Sequence, residues 1–110
     1  METIDFVNYL KKVIIDDNNQ IYKELFETTH LEDVTDDYWE SALKLFQNMS
    51  SGQRETLMKI IKQVQIDTLS NILYVLDNGI GLEEIILSTK SEPQTKFNGN
   101  LQDIFIEKIS

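Results

Sequence analysis

The sequence predicts a mainly helical α+β domain: about four helices, the third of them long and central, with a short β-hairpin before the last one. Three observations lead there. Apolar residues recur at helical spacing through most of the chain, capping signals precede the periodic stretches, and the pattern changes only after Gly81. Strands do not alternate with helices, which argues against a doubly wound fold. There is no internal repeat, no low-complexity stretch and no linker, so residues 1–110 read as a single globular domain.

The first helix covers residues 3–28. Val7, Leu10, Ile14, Ile21 and Leu25 fall on one face, flanked by Phe6, Val13, Tyr22 and Phe26. Thr3 is placed to cap it. The polar run Asp16-Asp17-Asn18-Asn19 interrupts the stripe, because Asn18 takes an expected apolar position. No Gly or Pro breaks the segment, so one continuous helix is expected rather than two meeting there.

Residues 29–34 read as a loop, and Thr35 as the cap of a second helix with Asp36 and Asp37 in its first turn. Val34 and Trp39 are spaced for a hydrophobic staple. Trp39, Leu43 and Phe46 make the buried stripe, with Tyr38, Ala42 and Met49 beside it.

Ser50 and Gln53 fit a capping box. A long helix then runs to Asp77, with Leu57, Ile61, Val64, Thr68, Ile72 and Val75 on one face. Ile60, Leu69, Leu73 and Leu76 widen that face, so the helix is expected to be touched on more than one side. Asn78-Gly79 ends it.

Residues 83–89 hold a short apolar run, Lys90-Ser91-Glu92-Pro93 is a turn signal, and residues 95–97 form the return strand of the expected hairpin. Asn98-Gly99 makes a tight turn. Asn100 caps the last helix, with Asp103 at its third position and Leu101, Ile104, Phe105 and Ile109 as its apolar face.

Composition narrows the function classes. The chain is 41% hydrophobic and 26% charged, which excludes whole-chain disorder. It has no cysteine, so disulfides, thiolate catalysis and Cys-ligated metals are excluded. METIDFVNYLKK has neither a basic start nor an apolar core, so no signal peptide is expected, and a cytoplasmic location is. Uninterrupted apolar runs such as 13–15 and 85–87 are short, far below the about 20 residues a membrane span needs. The net charge is −9, and basic residues group only at Lys11-Lys12 and Lys59 with Lys62. That opposes nucleic-acid and anionic membrane partners. It suits solubility or attraction to a basic protein.

Motifs for chemistry are sparse. Gly79-Ile80-Gly81 is too short for a nucleotide-binding fingerprint and follows a helix. His30 is the only histidine, which excludes a multi-histidine zinc site, and no Gly-x-Ser-x-Gly elbow accompanies it. Asp16-Asp17 with two asparagines lacks the EF-hand pattern and reads as a solvated face. No cofactor or metal is expected. The one polar group worth following is Gln63, Asp67, Asn71 and Tyr74, at i, i+4, i+8 and i+11 of the long helix, with Ser70 adjacent. If buried, these need partners. Gln102, Asp103 and the backbone of the 98–100 turn are the candidates, in a network locking the last helix onto the long one. Asp67 with Asp103 would be the carboxylate pair of a catalytic reading.

Tyr38-Trp39-Glu40, Leu45-Phe46, Arg54, Gln63-Val64-Gln65-Ile66-Asp67-Thr68, Ser70-Asn71, Leu76-Asp77-Asn78-Gly79 and Gly99-Asn100-Leu101-Gln102-Asp103 stand together over residues 35–108. The set resembles a family of small bacterial proteins grouped as a domain of unknown function. The resemblance implies a cytosolic bacterial protein and brings no activity, cofactor or catalytic residue. The expected function is a non-enzymatic interaction module, as a homodimer or an acidic binder of a basic partner. Its routes are the hairpin edge at Ile85, Ile86 and Leu87, or an uncovered apolar helix face. The alternative is a small-ligand-binding protein or hydrolase-like enzyme using Gln63, Asp67, Asn71, Tyr74 and Asp103.

Overall fold

The computed structural model describes residues 1–81 and 83–110. The chain is mainly helical. α1 spans Thr3–Leu10, a π-helical segment Lys11–Asp17, α2 Asn18–Thr28, α3 Asp37–Gln47, α4 Ser51–Asn78 and α5 Leu101–Ile109, with a single 3₁₀ turn at Leu31–Asp33.

α1, the π segment and α2 form one unbroken rod, since Leu10, Lys11, Asp17 and Asn18 all keep right-handed helical backbone. The polar run explains the π turn. Lys11 reaches Asp16 and Lys12 reaches Asp17 at 3.1 Å each, an i,i+5 spacing that matches the π repeat. Asn18 and Asn19 donate their side-chain amides to the carbonyls of Ile14 and Ile15, at 2.9 and 2.8 Å, where the ladder returns to α. The wider turn shifts the phase of the apolar stripe by one residue. Ile15 is fully buried, and Tyr22 and Phe26 face inward, while Ile21 is 52% exposed and Leu25 also lies outside. The expected stripe therefore holds at Val7, Leu10 and Ile14, which pack in or on the core, and is corrected at Ile21 and Leu25.

Two expected caps also move. Glu2, not Thr3, precedes α1, and its backbone N–H donates to Asp5 Oδ2. Asp36, not Thr35, caps α3, accepting the Tyr38 N–H at 2.8 Å, so Val34 and Trp39 lose their staple spacing. The Ser50–Gln53 capping box forms, with both reciprocal bonds.

α4 runs back along the rod. Its first turns meet α2 and α3, and its last turns meet α1 and α5. Apolar packing therefore falls into two regions. At one end Val7, Ile15, Leu69, Leu73, Leu101 and Phe105 close the main core, and Phe6 stacks on Phe97 at 4.6 Å between ring centroids. At the other end Phe26 stacks on Phe46 at 4.8 Å, with Trp39 tilted against Tyr22 and Phe26. Arg54 lies over the Phe46 ring and donates to the Phe46 and Gln47 carbonyls, tying the end of α3 to the start of α4.

The expected β-hairpin does not form. Residues 83–89 and 95–97 approach each other, but among the described residues only the isolated bridges Ile80–Glu83 and Ser88–Lys96 are made. Two backbone bonds join the arms, Phe97 N–H to Leu87 O and Thr89 N–H to Thr95 O. Side chains take the neighbouring donors: Thr95 N–H goes to Thr89 Oγ1 at 2.8 Å, and Leu87 N–H to Asn98 Oδ1 at 3.0 Å. A three-residue return arm cannot extend a ladder past those substitutions. The route through a strand edge at Ile85, Ile86 and Leu87 goes with it.

The molecule measures 52 × 29 × 28 Å, with a radius of gyration of 18.0 Å. A compact chain of this length has about 13 Å.

Candidate functional site

α4 is 28 residues long, hence about 42 Å. Only one side of it is covered. Leu69 and Leu73 are buried, and Leu57, Met58, Ile61, Ile66 and Leu76 partly so. The opposite side faces solvent along the whole helix, which corrects the expectation of neighbours on several sides.

Gln63, Asp67, Asn71 and Tyr74 all lie on this solvent side and are exposed. Gln63 Nε2 donates to Asp67 Oδ1 at 2.9 Å, and that is the one bond within the group among the described residues. Asp103 is exposed on α5. Its side chain joins neither Asp67 nor any other group among the described residues by hydrogen bond or ion pair.

The lock between α4 and α5 exists and uses the expected Gln102 and the 98–100 backbone, but on α4 their partners are Ser70 and Asp77, and Gln63, Asp67, Asn71, Tyr74 and Asp103 take no part among the described residues. Asp77 accepts three backbone N–H bonds: Gly99 at 2.7 Å and Leu101 at 3.1 Å on Oδ1, and Gln102 at 2.9 Å on Oδ2. It caps α5 from the neighbouring helix, and Asn100, at the cap position, makes no side-chain cap bond. A carboxylate there also opposes the positive end of the helix dipole. Gln102 Nε2 reaches Ser70 Oγ at 3.1 Å. Asn98, 8% exposed, accepts from Leu87 N–H and donates to the carbonyls of Leu76 and Ile85, pinning three segments. The motif Leu76-Asp77-Asn78-Gly79 signals a helix end, yet nothing local marks Asp77 as a cap for a helix more than twenty residues on.

Two surface cavities flank α4. One, about 690 Å³, lies between α2 and the start of α4, lined by Asn19, Lys23, Arg54, Met58 and Lys62 among others. The other, about 680 Å³, sits at the α3–α4 corner against Leu45, Met49, Leu57 and Ile60. The stripe Gln63, Asp67, Asn71 and Tyr74 lines neither. Among the described residues no three His, Asp or Glu side chains converge as a metal site. Lys23, Arg54, Lys59 and Lys62 line the first cavity together with Asp16, Glu27 and Glu55, and Lys11 pairs with Asp16, Lys12 with Asp17 and Lys59 with Glu55. No described helix is long and apolar enough to cross a membrane.

What the solvent side of α4 does present is an apolar band interleaved with that polar stripe. Ile60 is 55% exposed, Val64 58% and Ile72 51%, with Val75 beside them. Ile60, Val64, Asp67, Asn71 and Tyr74 follow a 4-3-4-3 spacing, the seam geometry of paired helices. α4 is also balanced in charge, with Arg54, Lys59 and Lys62 against Glu55, Asp67 and Asp77. The net −9 therefore resides wholly on the other elements. The chain exposes 7877 Å² for 12.8 kDa, where a compact monomer exposes about 6,300 Å².

No family model matches the chain, and neither a curated protein nor a solved structure matches it.

Proposed function

We propose that the chain is a non-enzymatic protein-interaction module that works through the solvent side of α4. The observation that carries this reading is the band Ile60, Val64, Ile72 and Val75 on one uncovered helix face. Single exposed aliphatics are ordinary, but a run of them along a stripe marks a contact surface. The surplus of accessible surface over a compact monomer supports the same reading. The polar members of the stripe line neither of these two cavities, and among the described residues no cluster of His, Asp or Glu converges on them, so they suit contact and register.

The test compares two baits, the wild-type chain and Val64→Asp, in affinity capture and in sedimentation. Val64 is exposed, so the variant keeps the fold, and circular dichroism checks this. A partner or a self-associated mass that is lost with Val64→Asp supports the reading. Equal behaviour of the two baits sinks it.

A further inference from the structure

We infer that Asn98-Gly99 is a modification site held shut by the fold: a centre of spontaneous deamidation that the tie from Asp77 keeps closed, and whose conversion releases α5 irreversibly. The sequence holds two Asn-Gly pairs, Asn78-Gly79 and Asn98-Gly99. Glycine has no side chain to screen its backbone nitrogen, so that nitrogen approaches the preceding carboxamide with least hindrance. The reaction needs only water. The glycine nitrogen gives up its proton and attacks the asparagine Cγ. The Cγ–Nδ2 bond then breaks, Nδ2 leaves as ammonia, and a cyclic succinimide remains. Water opens that ring at either carbonyl, to aspartate or to isoaspartate.

The two pairs are held differently. Asn78 is exposed at the end of α4, and its restraints are local. Its Nδ2 donates to Tyr74 O at 2.9 Å, and the Gly79 N–H to Val75 O at 2.8 Å. Fraying of that last turn frees both. Asn98 is 8% exposed and its carboxamide is fully engaged. Oδ1 accepts from the Leu87 N–H at 3.0 Å, and Nδ2 donates to Leu76 O at 2.8 Å and to Ile85 O. Attack makes Cγ tetrahedral and expels Nδ2, so it disrupts this set whatever the approach. The attacking group is held as well. The Gly99 N–H donates to Asp77 Oδ1 at 2.7 Å, and the same carboxylate holds Leu101 and Gln102. Conversion therefore waits until residues 98–102 lift off α4.

A carboxylate on the Gly99 N–H has a second chemical option, to take that proton and speed the attack. The geometry favours the lock, because the bonds of the Asn98 carboxamide must break in either case. The product cannot close again. Aspartate at position 98 presents oxygens where the Leu76 and Ile85 carbonyls need a donor. It also brings a second negative charge beside Asp77, which holds the next residue. Isoaspartate lengthens the backbone between Phe97 and Gly99 and displaces the N–H groups that Asp77 binds. Either product unpins the start of α5.

Peptide mapping by mass spectrometry of the folded chain on ageing tests this, since a tryptic digest puts Asn78 in residues 63–90 and Asn98 in residues 97–108. In the wild-type chain Asn78 is expected to convert faster than Asn98. Asp77→Ala is expected to raise the Asn98 rate about ten- to hundredfold, the factor by which losing its bonds raises the open population. Asp77→Asn keeps one acceptor oxygen, so a smaller rise is expected, and it serves where Asp77→Ala does not fold. Phe26→Ala removes packing at the other end of the molecule and is expected to leave the Asn98 rate nearly unchanged. Asn98→Asp, made directly, is expected to speed hydrogen exchange of the α5 amides and to leave those of the first turns of α4 as they are. Equal wild-type rates at Asn78 and Asn98 overturn the protection. A rise in Phe26→Ala as large as in Asp77→Ala overturns the gate, because opening is then global. An Asn98 rate in Asp77→Ala at or below the wild-type rate overturns it too, and a slower one marks the carboxylate as a base. Unchanged α5 exchange in Asn98→Asp overturns the release.

Discussion

Asp77→Ala tests the tie that holds α5 in place. The carboxylate takes the N–H groups of Gly99, Leu101 and Gln102, and among the described residues no other side chain caps α5. A hydrogen bond to a charged group contributes about 1.5–3 kcal/mol net. The Gly99 N–H is exposed and finds water when Asp77 is lost. The bonds of Leu101 and Gln102 are only partly buried, so water recovers part of each and they carry about 1 kcal/mol apiece. Loss of the interaction with the helix dipole adds a few tenths, which puts Asp77→Ala at about 2–3 kcal/mol. That is a large share of a stability of about 5–15 kcal/mol. Urea unfolding reads it as a fall in midpoint of about 1–2 M, at a typical slope for this chain length. Asp77→Asn keeps one acceptor oxygen and is expected to lose about half as much. Asp103→Ala is the control, since Asp103 sits in the first turn of α5 without a partner and its loss costs about 0.5 kcal/mol. If Asp77→Ala destabilises no more than Asp103→Ala, Asp77 does not hold α5.

Three further substitutions probe the same structure. Asn98→Ala removes a nearly buried amide that serves Leu87 N–H and two carbonyls, and is expected to cost about 2–3 kcal/mol in urea unfolding. Gly79→Ala is expected to cost more than ~1 kcal/mol, because Gly79 has φ +84° and an added Cβ would overlap the Glu83 carbonyl oxygen; an unchanged thermal midpoint would contradict this. The π turn is tested by neighbours: Phe26→Ala should lose about 3 kcal/mol and Ile21→Ala within ~0.5 kcal/mol, and a reversed order would restore the unshifted stripe.

The helices were legible because their signals are local. The Ser50–Gln53 box, the glycine at 79 and the absence of breakers in residues 3–28 each act within a turn or two. The failures share a different cause. A π turn changes the phase of a stripe without changing its composition, so Ile21 and Tyr22 exchange roles on the strength of two i,i+5 ion pairs. The hairpin signal at residues 83–97 was real as a chain reversal. Thr89 and Asn98 side chains intercept the donors a second strand would need. Asp77 and Asn98 were missed because their partners lie across the fold. The polar stripe was found, but its direction was not: α4 is apolar on two sides, and the sequence does not say which side the rod covers.

The polar members of the α4 face set limits on what it can bind. Asp67, Thr68 and Asn71 interrupt the band between Val64 and Ile72. Polar groups in a helix seam lower the stability of the pair and restrict its register. The chain has a core of its own in Val7, Ile15, Leu69, Leu73, Leu101 and Phe105, separate from the α4 solvent face. A contact through the proposed face is therefore expected to be reversible and weak, unlike the largely apolar interface of an obligate complex. By mass action, the thermal midpoint should then rise only modestly with the concentration of whatever occupies the face, whereas an obligate complex would show a steep rise. A steep dependence would mean that the α4 face belongs to the folding core rather than to a surface that binds and releases.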